Sequence, residues 1–523
     1  MNTVFRLNRR RFLTTSAIVT GAAMLPFSST LWAAAAAQKG GTLRISVDQA
    51  VGMLNPLLAR VNPEYLLSEL LYNGLTRLSQ DMQAEPDLAQ SWSHNSDLTE
   101  WTFTLRGNLK FHDGSACTAK DVAASLQAVL DPKTASPGLR NIGPIKSVEA
   151  LDDLHVKLTT TAPYADLPVS LAYPDAKIVP AAILQGDMTR LSREAIGTGP
   201  FKLVSFEPER MVVVTRNEHF YDPQRPHLDR VEIRVYPDPA SEGSALMSGD
   251  IDLMLSAQAT EFTRLSEANG VKGLRVASGQ FLNINMGCDQ PPFNDVRVRQ
   301  ALSLCVDRSA MVDFVAEGFG TPGNDTPLNA AYRYYSDIAL RQANLTKAKQ
   351  LLADAGYPNG LDITLVASDK PSTRTQLGIA VREMAKPAGF NITVATMANS
   401  TYLDQVWKKG NFYVGFYNMQ PSADAVFSLL YTSDAAWNET RWNNAEFDAA
   451  VAAARGTDDP VKRSALYATA QQLMHEQVPS LIPTFFDVLA AQRTYVQGYQ
   501  LHPRGAVFRL DQTWLDDSAP KRG

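Results

Sequence analysis

The sequence predicts an α/β fold. Short runs alternate apolar and polar residues as half-buried strands do, and after residue 340 helical and strand patterns interleave. Hydrophobic residues make up 45% of the chain and charged residues 20%, enough apolar surface to offset the entropy of ordering a folded core. The 523 residues correspond to about three domain-sized units at roughly 150 residues each.

The first strand is Thr42 to Val47, which follows Gln38-Lys39-Gly40-Gly41. Trp101 to Arg106 alternates in the same way, and Asp113-Gly114 supplies a turn after it. Thr118-Ala119-Lys120-Asp121 reads as a capping box, in which hydroxyl and carboxylate satisfy free N–H groups at a helix start. Val122, Leu126, Val129 and Leu130 follow at helical spacing, and Pro132 ends the element. Several alternating runs over residues 201–236 predict a strand-rich sheet. Val298, Ala301, Leu302, Cys305, Val312 and Val315 predict one long amphipathic helix closed by Gly318. Asn344 caps a helix over 345–355 that Gly356 ends, and Asp459-Pro460 opens another that carries Leu466, Leu473 and Met474.

Charge and targeting restrict the function. The chain carries 49 basic and 54 acidic side chains, a net charge of −5. Residues 1–37 hold four arginines and no acidic residue, so without them the charge falls from −5 to −9. A mildly acidic body has no electrostatic reason to bind nucleic acid. The basic segment ending in Asn8-Arg9-Arg10-Arg11-Phe12-Leu13-Thr14, the apolar stretch from Ala17 to Phe27 and the cleavage sites within Ala33 to Ala37 read as a signal peptide. The Arg-Arg-x-Phe-Leu core resembles a twin-arginine export signal. No cysteine follows it to carry a lipid, so a soluble periplasmic protein is expected, its signal cleaved. Cys117, Cys288 and Cys305 are odd in number and match no zinc or redox spacing.

The search for catalytic motifs finds no Gly-x-Ser-x-Gly elbow, no phosphate loop and no His-Glu-x-x-His. Gly318-Phe319-Gly320-Thr321-Pro322-Gly323 matches a dinucleotide pattern, but it follows a helix and reads as a helix end running into a loop. None of the seven histidines pairs at i, i+4 or neighbours a cysteine, so no metal site and no cofactor is expected. Asp250 and Asp252 could be imagined as an acid and base pair. They are more simply read as solvated turn residues beside Gly249.

Aromatic and polar residues cluster between 400 and 442, among them Trp407, Tyr417, Asn418 and Trp437. Such residues pack cores and also line small-molecule pockets. Asp424, between Ala423 and Ala425, is either solvated at a turn or paired with a cation.

Five segments in order resemble the extracytoplasmic solute-binding proteins of family 5, which serve ABC importers of dipeptides, oligopeptides, nickel and opines. They are Leu88 to Trp92 running through Trp101 to Val122; Gly197 to Phe201 with Arg216 to Tyr221; Leu246 to Asp252; Asn285 through Pro291 to Asp295, Arg297 to Leu302 and Asp307-Arg308; and Ala348 to Tyr357. The resemblance implies a two-lobed α/β clam with an extra subdomain in the first lobe and two hinge crossovers, near Phe281 to Met286 and Phe485 to Ala491. The first lobe would span 38–280, the second 281–487, and 488–523 would return to the first. It implies that Asp424 holds a ligand's amino group, that a cation near Lys370 or Arg374 meets a ligand carboxylate, and that Met53 and Leu54 line the cleft from the first lobe. The implied function is a monomeric, non-enzymatic receptor that captures a peptide or peptide-like solute and delivers it to permease subunits in the inner membrane. Opine, sugar-derived or nickel-chelate ligands are the alternatives within the fold. An exported hydrolase is the alternative outside it.

Overall fold

One eleven-stranded sheet runs through the molecule, whose computed structural model describes residues 37–521; the targeting segment lies outside the described residues, apart from Ala37. Two long strands form its spine. Val271–Met286 and Ser480–Arg493 pair antiparallel from Val271 opposite Arg493 to Asn285 opposite Ser480. On one side Gln492 and Ala491 pair with Leu253–Met254. Beyond that lie Thr42–Val47, Arg230–Val235, Met211–Arg216 and Phe201–Glu207. On the other side Phe281 to Met286 pairs with Phe412–Tyr417, followed by Leu361–Ser368 and Phe390–Met397.

The spine connects two cores. Leu274 packs on the first, built around Leu43, Ile45, Val231 and Ile233, whereas Leu282 and Ile284 belong to the second, with Leu365, Val381 and Val414. Between them the ladder shifts register from Ala277 to Gln280, opposite Asp487 and Phe486. Such irregularities bend a strand and interrupt its pairing, which suits a crossing between lobes. The irregularity falls just before the first expected crossover and inside the second. A separate four-stranded sheet of Ala89–His94, Glu100–Leu105, His155–Thr160 and Ile145–Ala150 adds a subdomain to the first core.

Local chemistry explains the helix starts. Thr118 Oγ1 accepts the Lys120 N–H at 3.3 Å while Asp121 Oδ2 accepts the Thr118 N–H at 2.8 Å, so helix Ala119–Leu130 is capped by the expected box. Its Val122, Leu126 and Val129 are buried. Asn344 caps Leu345–Asp354 through the Lys347 N–H, and Asp459 caps Pro460–Gln477. Gly356 follows the first of these at φ +100°, a conformation that side chains with a Cβ rarely adopt.

Two expectations are corrected. The long helix through Val298 and Val315 is two helices, Val296–Leu304 and Arg308–Val315. Asp307 accepts the N–H groups of Ser309 and Ala310 at 3.0 Å, so a cap sits inside the apolar pattern and starts the chain afresh. Asp252 is not a solvated turn residue. It is fully buried, and its carboxylate accepts the Arg44 N–H at 2.8 Å and the Tyr495 hydroxyl at 2.6 Å. The glycine-rich segment is structural: Gly320–Pro322 pairs with the spine strand opposite Phe486 to Thr484.

Among the described residues no helix is long and apolar enough to cross a membrane.

Candidate ligand-binding cleft

A cavity of about 330 Å³ opens between the lobes. The first lobe contributes Arg60, Asn62, Tyr65, Tyr173 and Arg504; the second contributes Arg374, Tyr402, Trp407, Trp437, Glu439 and the segment from Gly415 to Gln420. Each reaches the cavity from the end of an element. Asn62 and Tyr65 lie in the first turn of helix Asn62–Leu71, and Arg374 lies in the first turn of Thr373–Ala385. Tyr417, Asn418, Met419 and Gln420 continue from the end of strand Phe412–Tyr417.

Arg374 is the cavity's distinctive group. Its guanidinium carbon sits 5.2 Å from the Tyr402 ring centre and 5.9 Å from that of Phe416. Its Nε and Nη1 are buried and have no hydrogen-bond partner within the protein. Burial lowers its pKa, against the favourable fields of Tyr402 and Glu439. A guanidinium is a rigid fork that matches a carboxylate bidentately, and leaving its donors unmade in a dry site is costly. The first turn of a 13-residue helix adds positive potential at the same place.

Glu439 is the only carboxylate among the lining residues. It is 3% exposed, and its oxygens are taken: Oε1 by the Trp407 indole N–H at 2.8 Å and Oε2 by the Asn285 amide. The Tyr413 hydroxyl also bonds to it, and Arg374 and Lys408 attract its charge. Burial outweighs these contacts and pushes its pKa up to about 7. The aromatic wall is continuous. Trp407 and Trp437 meet edge to face at 5.4 Å, and Tyr417 lies 6.3 Å from Trp437.

The structure brings five of the sequence-identified residues together: Arg374, Trp407, Tyr417, Asn418 and Trp437 all line this cavity. It places Met53, Leu54, Lys370 and Asp424 elsewhere. Met53 is half-buried outside the cavity wall, because the chain turns through Pro56–Leu58 and presents Arg60, Asn62 and Tyr65 to the cleft instead. Asp424 is also outside it. Its carboxylate is 3% exposed and pairs with Arg455 Nε at 2.9 Å, with the Ser428 hydroxyl donating at 3.2 Å. Burial raises its pKa, against the pull of Arg455. The cation that this apolar setting demands comes from the chain itself, at the end of helix Ala445–Arg455, so a ligand amine has no vacant carboxylate to meet there.

Asp424→Ala is therefore expected to cost stability by about 2–3 kcal/mol, below the ~3–5 kcal/mol of a fully buried pair because Arg455 can hydrate. The urea midpoint should fall, and solute affinity measured on the same variant should fall far less than for a change at Arg374.

Sequence reasoning missed Glu439, Tyr173, Arg60 and Arg504. Glu439 follows Trp437-Asn438 inside the aromatic cluster, a signal that was available. Arg504 lies in the C-terminal segment whose Tyr499 and Phe508 pack in the first core, where no periodic pattern singles it out.

Contacts join the lobes beside the cavity. Asp166 Oδ1 and Arg463 Nη2 form an ion pair at 2.7 Å, with side chains 7% and 6% exposed. The Ala165 N–H donates to the Arg455 carbonyl at 2.9 Å, and Arg504 Nε donates to the Met419 carbonyl at 3.3 Å. Among the described residues no group of three or more His, Cys, Asp or Glu side chains is placed to hold a metal ion.

A two-lobed α/β architecture with a cavity between the lobes is an arrangement that solute-binding proteins share. The chain belongs to the bacterial extracellular solute-binding proteins, family 5, whose model matches residues 83–458. It is 28% identical over 472 residues to Heme-binding protein A of Haemophilus influenzae, covering 84% of this chain and 86% of that one. It is 27% identical over 509 residues to the glutathione-binding protein GsiB of Pectobacterium atrosepticum, covering 95% and 96%. Among solved structures it resembles the PBP AgaA of A. tumefaciens R10 in complex with agropinic acid, with TM-score 0.76 and 26% identity over 92% of this chain and 99% of that one. These relatives are solute-binding proteins rather than enzymes.

Proposed function

We propose that this protein is the periplasmic receptor of an ABC importer and that it captures a small peptide-like solute bearing a carboxylate. The observation that carries the reading is Arg374, whose buried Nε and Nη1 have no partner in a cavity walled by Tyr402, Phe416, Trp407 and Trp437. A solute carboxylate would complete those hydrogen bonds, and its apolar parts would pack on the aromatic wall. Arg504 and Arg60 add positive charge from the first lobe. A solute touching both lobes favours the shut form, so binding shifts the population toward closure, and a membrane permease can read that shape. The lobes would be 38–280 and 281–487, with 488–523 returning to the first. Glutathione, a peptide with two carboxylates, is the named ligand of one relative and fits this chemistry. An opine acid, the ligand type of AgaA, satisfies the same guanidinium.

A hydrolase reading has less support. The cavity lining holds one carboxylate rather than a pair, and Asp252 is sealed under Arg44 and Tyr495. Calorimetric titration of a free-acid tripeptide against its C-terminal amide tests the proposal. Trialanine should bind at least tenfold more tightly than trialanine amide; equal affinities would reject the role of Arg374.

The site also predicts a pH dependence. Above about 7 Glu439 is ionised and its field offsets part of that of Arg374; below it Glu439 is protonated and the guanidinium stands alone. A peptide carboxylate, with a pKa near ~3.5, stays ionised throughout. Affinity for the free acid should therefore rise several-fold as pH falls from 8 to 6. Glu439→Gln should hold the tighter value at both pH values in the same titration.

A further inference from the structure

A second cavity, of about 230 Å³, lies in the first lobe. Its position follows from topology. Thr42–Val47 runs parallel to Arg230–Val235 on one side and to Leu253–Met254 on the other. The chain leaves Arg230–Val235, forms helix Pro239–Ser248 and crosses to the far side of Thr42–Val47. A crevice forms outside the carboxyl ends of parallel strands where connections diverge in this way, and ligands of open α/β sheets bind there.

The chemistry of this crevice is anionic. Asp48 and Glu242 line it, and no lysine, arginine or histidine does. Glu242 is 4% exposed and, among the described residues, lies in no ion pair. Burial pushes its carboxyl up to about 7 against the pull of the nearby Ser46 hydroxyl, and the like charges of Asp48 and Glu261 push the same way. The Ser46 hydroxyl is itself 1% exposed in the same wall and reaches only Glu242, with no other group to satisfy it. A carboxyl buried without a cation is partly protonated near neutral pH, and an arriving cation stabilises its ionised form. Leu255 and Phe508 give the cavity an apolar side.

We propose that this crevice is a second ligand site that takes a primary ammonium group, held by Glu242 with Asp48 at its mouth, and the short apolar stem that carries it. Asn62 lines both this cavity and the interlobe cleft, so the ammonium group can belong to a free amine or to the amino end of the cleft's own solute. The site itself does not rest on the role of Arg374.

Ligand-observed NMR titration of the signal-free chain with n-butylamine, and with n-butanol as the uncharged match, tests this. Butylamine should bind saturably and at least tenfold more tightly than butanol. Glu242→Gln should weaken it at least tenfold. Asp48→Asn, at an exposed position, should weaken it several-fold without touching the fold. Arg374→Ala should leave it unchanged, which separates this site from the cleft. Trialanine and N-acetyl-trialanine identify the source of the group: tenfold weakening of trialanine alone by Glu242→Gln assigns it to the solute's amino end, and unchanged trialanine assigns it to a free amine. Equal binding of butylamine and butanol, or full butylamine affinity in Glu242→Gln, would overturn the proposal.

Discussion

Arg374→Ala should reduce affinity for a carboxylate-bearing solute by about 30-fold to several thousandfold, the largest effect of any single change in the cleft. Removing one member of a buried, hydrogen-bonded charge pair costs roughly 2–5 kcal/mol of binding, because the other charge stays dry and unmatched. Here the solute carboxylate would face Tyr402 and Phe416 in a cavity that Glu439 also lines, a setting that repels an unpaired anion. Arg374→Lys should recover only part of the loss, since an ammonium cannot reproduce the planar fork. Stability should not fall with affinity: Arg374 Nε and Nη1 make no hydrogen bond within the protein, so the urea midpoint of Arg374→Ala should match that of the parent or exceed it. Titration calorimetry and urea unfolding of the same preparation read both effects.

Arg463→Met should shift the protein toward an open form. Asp166 and Arg463 come from different lobes and are nearly inaccessible when paired at 2.7 Å. Arg463 is further held by the Ala454 carbonyl at 3.1 Å and lies 4.8 Å from the Tyr334 ring centre, so it is prearranged in the second lobe for Asp166 to dock. Replacing it leaves a carboxylate buried without its cation, at about 3–5 kcal/mol. Separation of the lobes returns that carboxylate to water, so the cost falls on closure rather than on the fold of either lobe. Apparent solute affinity should drop by about a hundredfold or more, because only the competent population binds. Small-angle scattering should show a larger radius of gyration in the variant, and Asp166→Leu combined with Arg463→Met should reverse most of both changes. An unchanged radius with unchanged affinity would show that the ion pair does not gate closure.

What was legible in the sequence was local. Thr118 with Asp121, Asn344, and Asp459-Pro460 marked helix starts because a side chain and the N–H groups it caps lie within a few residues. Trp101, Phe103 and Leu105 marked a strand because alternation survives in the burial of that strand. The same reasoning joined two helices at Asp307, where apolar spacing continued across a cap.

The candidate site was legible where its residues cluster in the chain and obscure where they do not. Trp407, Tyr417, Asn418 and Trp437 fall within one stretch. Asp424 lies in that stretch as well, but its partner Arg455 is 31 residues further on, at the end of another helix, and no periodicity connects the two. Arg504 is brought to the cleft by the returning chain, over Tyr173 at 4.5 Å, a placement decided only by the tertiary fold. The resemblance to family 5 carried the two-lobed architecture and implied both a carboxylate at Asp424 and a cation near Lys370 or Arg374, but not that Asp424 is paired with Arg455 while Arg374 Nε and Nη1 have no partner within the protein.

The most direct test is rebinding of the native solute. The compound released by denaturing the periplasmically expressed protein, identified by mass spectrometry, can be titrated into refolded parent and Arg374→Ala. The released compound should carry at least one carboxylate, bind the parent and bind the variant at least thirtyfold more weakly. A neutral or purely cationic compound that binds both equally would contradict the role of Arg374.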